Sequence, residues 1–96
     1  GEIYSTHFGY SVPPMVEEMF SGYGYMNLEM GQPEKALMFF KSNIDYYPNS
    51  ASAYNSMADY YEAQNDITNA LRFVQKAAEL SNDEYYKNRI QELKNK

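Results

Sequence analysis

The chain has 96 residues, 44% of them hydrophobic and 22% charged, and a net charge of -5, the balance of one small globular domain rather than a disordered segment. The negative charge argues against nucleic-acid binding, which needs clustered Lys and Arg to neutralise phosphates. The absence of cysteine removes disulfides, thiolate metal ligands and a thiol nucleophile, and no apolar run approaches the roughly 18 residues that span a bilayer.

In chain order, residues 1–16 form a non-periodic segment that contains His7 and ends near Pro13-Pro14. Gly1-Glu2-Ile3 lacks the basic start and apolar stretch of a signal peptide, and the missing initiator Met fits a domain taken from a longer protein. A first helix is expected over roughly 15–30, with Glu17 and Glu18 as first-turn carboxylates that favour its positive end. Gly31-Gln32-Pro33 reads as a helix C-terminus followed by a proline in the next first turn. The second helix runs to Tyr46-Tyr47, where Pro48 stops it and Asn49 or Ser50 caps the third. Gln64 to Asp66 and Ser81 to Asp83 break the chain again. Between these breaks lie apolar stripes at helical spacing: Tyr54, Met57, Ala58 and Tyr61, then Ala70, Leu71, Val74, Ala77 and Ala78, then Tyr86, Ile90 and Leu93. Arg89 falls among the polar residues of that last helix. The expected fold class is all-α.

Phe20, Tyr23, Gly24, Asn27, Ala36, Phe40 and Pro48 recur as Tyr54, Met57, Ala58, Tyr61, Ala70, Val74 and Asn82, each pair 34 residues apart. This period and its alternation of large and small residues resemble the tetratricopeptide repeat. The resemblance divides the chain into units at 17–50 and 51–84, a capping helix at 85–96 and a preceding segment at 1–16. It implies a right-handed superhelix of two helical hairpins in which the small residues allow close helix contact. Asn43 stands where the second unit has Ala77. It is expected to be buried and bonded to the backbone of an adjacent segment, because a buried amide needs a partner.

The same resemblance implies that the first helix of each hairpin lines a concave groove. Its candidate residues are Ser21, Tyr25, Leu28, Asn55, Asp59, Glu62 and Tyr86. The opening helices, 15–30 and 51–64, hold no Lys or Arg; the basic residues all lie on the second helices and the cap. The groove is therefore expected to be acidic and tyrosine-bearing, suited to a basic or neutral peptide or protein surface rather than to a terminal carboxylate.

Catalytic patterns are weak. His7 is the only histidine and has no nucleophile or orienting carboxylate at a recognisable spacing. Adjacent Glu17 and Glu18 point about 100° apart on a helix and do not face each other as a catalytic pair. Gly22 and Gly24 lie inside a helix rather than in a phosphate-cradling loop. No enzymatic activity, cofactor or metal is expected of this chain.

"HFGYSVPP" at 7–14, "GYGYMNLEMGQPEKALMFF" and "NIDYYPNSASAYNSMADYY" together are similar to the C-terminal extension of bacterial enterochelin-esterase-like α/β-hydrolases. That likeness implies a non-catalytic docking module, with the serine-His-acid machinery upstream. Alternatives are a stand-alone peptide-binding or self-associating repeat protein, including a homodimer, and a lid shaping a hydrolase pocket. The compartment is not legible in the sequence.

Overall fold

Helix ends in this chain are set by turn chemistry at regular intervals. The computed structural model describes residues 16–96. The expected packing of the N-terminal segment across the first hairpin, and the role of His7, lie outside the described residues. Five α-helices follow in order: α1 (Glu17–Glu29), α2 (Pro33–Tyr46), α3 (Ala51–Ala63), α4 (Ile67–Leu80) and α5 (Glu84–Lys94). Among the described residues there are no strands, and the fold is all-α. None of these helices is long and apolar enough to cross a membrane.

The first four helices start and stop with one period. Glu17 and Ala51, Glu29 and Ala63, Pro33 and Ile67, and Tyr46 and Leu80 are each 34 residues apart. The turns repeat as well. After α1, Gly31 adopts φ 77°, and after α3, Asn65 adopts φ 65°. These are the left-handed positions that close a helix, and Gly and Asn tolerate them best. At each, the following residue bonds back five positions: Gln32 N–H to the Asn27 carbonyl and Asp66 N–H to the Tyr61 carbonyl, both at 2.8 Å. Pro33 opens α2 at its first turn, where its missing N–H costs nothing. Ser50 and Asp66 cap α3 and α4 by accepting from Ala53 N–H and Asn69 N–H.

Consecutive helices pack on one another, and α1 also touches α3. Two apolar clusters result. One centres on Ala36, Phe40 and Met57, and the other on Ala58, Ala70, Val74 and Leu93. Gly24 is a necessity rather than a convenience. A Cβ there would lie 2.6 Å from Phe40 Cζ and 2.7 Å from Cδ1, inside the ring's van der Waals envelope. The small residue thus makes room for the Phe40 ring. Burying such a ring fully is worth roughly 2–3 kcal/mol by area.

Most of the tyrosines serve packing. Tyr46 stacks on Phe20 at 5.8 Å and Tyr47 meets the same ring edge-on at 6.4 Å. Tyr25 meets Phe40 edge-on at 5.1 Å, and Tyr61 stacks on Phe73 at 5.5 Å. The Tyr46-Tyr47-Pro48-Asn49-Ser50 corner is held further by Tyr54, whose hydroxyl donates to the Pro48 carbonyl at 2.9 Å. Ser50 also donates to Glu17, which ties the start of α3 to the start of α1.

Candidate functional site

Equivalent positions on α1 and α3 converge because the two helices lie side by side with a 34-residue period. Ser21 and Asn55, and Tyr25 and Asp59, are such pairs. Tyr25 donates its hydroxyl to Asp59 and also lies 3.3 Å from Ser56 Oγ. Ser21 Oγ lies 3.5 Å from Ser56 Oγ and accepts from Asn43 Nδ2 at 3.2 Å. The polar chain therefore runs from the buried Asn43 through Ser21, Ser56 and Tyr25 to Asp59.

Arg89 joins this chain from α5. Its Nη1 donates to Asn55 Oδ1 at 2.7 Å, and its Nη2 sits 2.9 Å from Glu62 Oε1 and 2.5 Å from Asp59 Oδ1. Lys96 adds a contact to Glu62 Oε2 at 3.2 Å. The planar guanidinium fork suits three acceptors at once in a way a lysine does not. Two expectations are corrected here. Arg89, grouped by the sequence with water-facing polar residues, is 8% exposed. The inner face is also less acidic than its own helices suggest, because Arg89 and Lys96 offset Asp59 and Glu62. A signal for Arg89 was present: it lies three residues after Tyr86 and four before Leu93, on the face that α5 turns inward.

The electrostatics follow from this geometry. Burial and the hydrogen bond to Asp59 push the Tyr25 hydroxyl well above the usual tyrosine range. Burial alone would raise the Glu62 carboxyl, but its bonds and charge contacts with Arg89 and Lys96 outweigh it and leave the group below its ordinary value. Burial is the largest single influence on Arg89 and lowers it, but the charges and hydrogen bonds of Asp59 and Glu62 together more than reverse that.

Beside the network lies a cleft of about 470 Å³ lined by Glu17, Glu18, Ser21, Tyr25, Ser52, Asn55 and Ser56. Of the candidate groove residues, Ser21, Tyr25 and Asn55 line it, while Asp59 and Glu62 sit in the network behind Arg89. Leu28 packs instead on the Ala36–Phe40–Met57 cluster, and Tyr86 on the cluster around Val74 and Leu93. Ser52, Ser56 and Arg89 complete the arrangement. A second depression of about 400 Å³ lies between Tyr54 and α4, lined by Arg72, Phe73, Gln75, Lys76 and Glu79. There Lys76 stands over the Tyr54 ring at 5.9 Å.

Asn43 is fully buried, as expected, but its partner is the Ser21 side chain rather than backbone, and its Oδ1 has no partner among the described residues. Among the described residues no group of three His, Cys, Asp or Glu is placed to hold a metal ion. The groove presents hydroxyls, an amide and carboxylates. No protein-family model matches the chain, and no curated protein sequence matches it either.

Proposed function

We propose that this chain is a non-catalytic docking module, built on tetratricopeptide-like hairpins, that binds an extended peptide in the α1–α3 cleft. The observation that carries the reading is the lining of that cleft: Ser21, Tyr25, Ser52, Asn55 and Ser56 offer hydrogen-bonding groups. An extended peptide needs such partners along its backbone. Glu18 is exposed on the cleft rim and favours a Lys or Arg on the ligand, while Asp59 and Glu62 are occupied by Arg89. The ligand is therefore neutral along most of its length with one basic side chain near Glu18. Attachment to an esterase rests on the "HFGYSVPP" and "YPNS" likenesses, and fits a module that docks without reacting.

The test is a positional-scanning library of acetylated, amidated heptapeptides, read by fluorescence anisotropy. Selection of a basic residue at one position is expected. Asn55→Ala should weaken the best peptide about tenfold, the size of one lost hydrogen bond. Glu18→Gln should remove the basic preference and most of the salt dependence. A library with no member binding tighter than about 1 mM would end this reading.

A further inference from the structure

The outer face of α1 carries Val16, Met19, Tyr23, Met26 and Met30, which are 53%, 44%, 39%, 45% and 59% exposed. Their spacing is three, four, three, four, the seam a helix presents to another helix. Most large apolar side chains in so small a domain find cover, and a contiguous apolar stripe on a surface marks a contact. The repeat identifies what kind of contact. One period later the positions of Met19, Tyr23 and Met26 are Ala53, Met57 and Tyr60 on α3. Ala53 is 0% exposed, Met57 is 3% exposed, and both Met57 and Tyr60 pack on the cluster that includes Ala36 and Phe40 of α2. The second unit thus spends this face on a helix, while the first leaves it open.

The edges of the stripe add chemistry. On one side Tyr23 lies against Phe39 of α2, with ring centroids 5.4 Å apart. Glu18 and Glu29 are exposed on the other side, with Gly22 between them. Among the described residues a Cβ at Gly22 would meet nothing within 4 Å, so no contact with them accounts for a glycine in mid-helix. It leaves a notch beside Met19 and Met26 in which a neighbouring backbone can approach closely. α1 has no Lys or Arg to balance its carboxylates. Two copies of α1 laid together would bring those carboxylates into one seam, which disfavours a pair of identical faces.

We infer that the exposed face of α1 receives an amphipathic helix with apolar residues at i, i+3 and i+7 and basic residues along one edge, docked as α2 docks on α3. Methionine's flexible side chain suits such a contact, because it adapts to the shape of the incoming helix. This surface shares Glu18 with the rim of the α1–α3 cleft, but Met26 and Glu29 belong to it alone and Asn55 to the cleft alone, so either can fail without the other.

The experiment uses the full chain and two 14-residue helical probe peptides with leucine at i, i+3, i+7 and i+10, one filled out with lysine and one with glutamate. Methyl NMR with a soluble paramagnetic agent reads Met19, Met26 and Met30, with Met38 on α2 as an exposed reference. In the free protein these methyls should be strongly relaxed, and the lysine peptide should shield the three on α1 and not Met38. Met26→Lys should weaken that peptide at least tenfold by anisotropy, and Glu29→Gln about threefold. Asn55→Ala, which disturbs the cleft and its bond to Arg89 but not the outer face of α1, should leave it unchanged. Equal binding of the two peptides, or full affinity in Met26→Lys, overturns the proposal. So does shielding in the free protein: independent of concentration it means the chain's own residues 1–15 cover the stripe, and growing with concentration it means a second copy does.

Discussion

Gly22 and Gly24 sit two residues apart on one helix and answer opposite demands. Gly24 faces the Phe40 ring with no room for a methyl group, and Gly22 faces open space. Gly22→Ala should stabilise the monomer by ~0.5–1 kcal/mol, the ordinary helix-propensity gain. Gly24→Ala gains the same propensity but forces the buried ring aside, so a net loss of ~1–2 kcal/mol is expected. Urea denaturation of the two variants checks both signs, and a stabilised Gly24→Ala would mean that Phe40 moves freely. Glu62 gives a pH test. Its carboxyl is lowered in the folded state by Arg89 and Lys96, so its stabilisation is present above the ordinary carboxylate value. That contribution is lost as pH falls through the lowered value. The stability gap between wild type and Glu62→Gln should therefore close as the pH drops from 6 toward 3. A gap that stays constant would show the carboxylate unlinked to Arg89.

At the scale of the element, much was legible before any coordinates. Helix ends follow Gly31, Pro33, Ser50 and Asp66, residues whose backbone or capping chemistry leaves few choices. Convergence of Ser21, Tyr25, Asn55 and Asp59 follows from the same period. The apolar stripe of α5, Tyr86, Ile90 and Leu93, was legible as well, although it departs from the period. α3 begins at Ala51 and α5 at Glu84, 33 residues later, because the connection Ser81–Asp83 is one residue shorter than Tyr47–Ser50. Counting 34 onward from Ala53, Met57 and Tyr60 reaches Lys87, Gln91 and Lys94, all exposed. Counting 33 reaches Tyr86, Ile90 and Leu93, which pack on the Ala70–Val74 cluster. What escaped was the set of acceptors: Arg89 lies on that inward face, three residues after Tyr86 and four before Leu93, but long-range pairing of one side chain has no periodic signature. The helix docks through its own apolar stripe, so inserting one glycine after Asn82 should cost under ~1 kcal/mol in urea titration, a small loop-closure term. A large loss would mean that the short loop, and not the stripe, sets the register.

Across the whole molecule, Arg89 links the last helix to the third over 34 residues of sequence to Asn55 and 27 to Glu62. Arg89→Ala leaves Asp59 without its cation and Glu62 with only the exposed Lys96, and a loss of ~2 kcal/mol is expected. That is below the cost of breaking a fully buried pair, because both carboxylates keep some water. Arg89→Lys should recover less than half, since a single ammonium cannot serve Asn55 and both acids together. Thermal unfolding of the three proteins checks this, and full recovery by lysine would reduce the contact to simple charge. Arg89 and Lys96 both arrive on the final stretch of chain. When α5 is seated, they cancel two negative charges beside the cleft; when it frays, those charges return. The electrostatic sign of the α1–α3 groove is thus set from a distance, by whether α5 and Lys96 stay seated against α3.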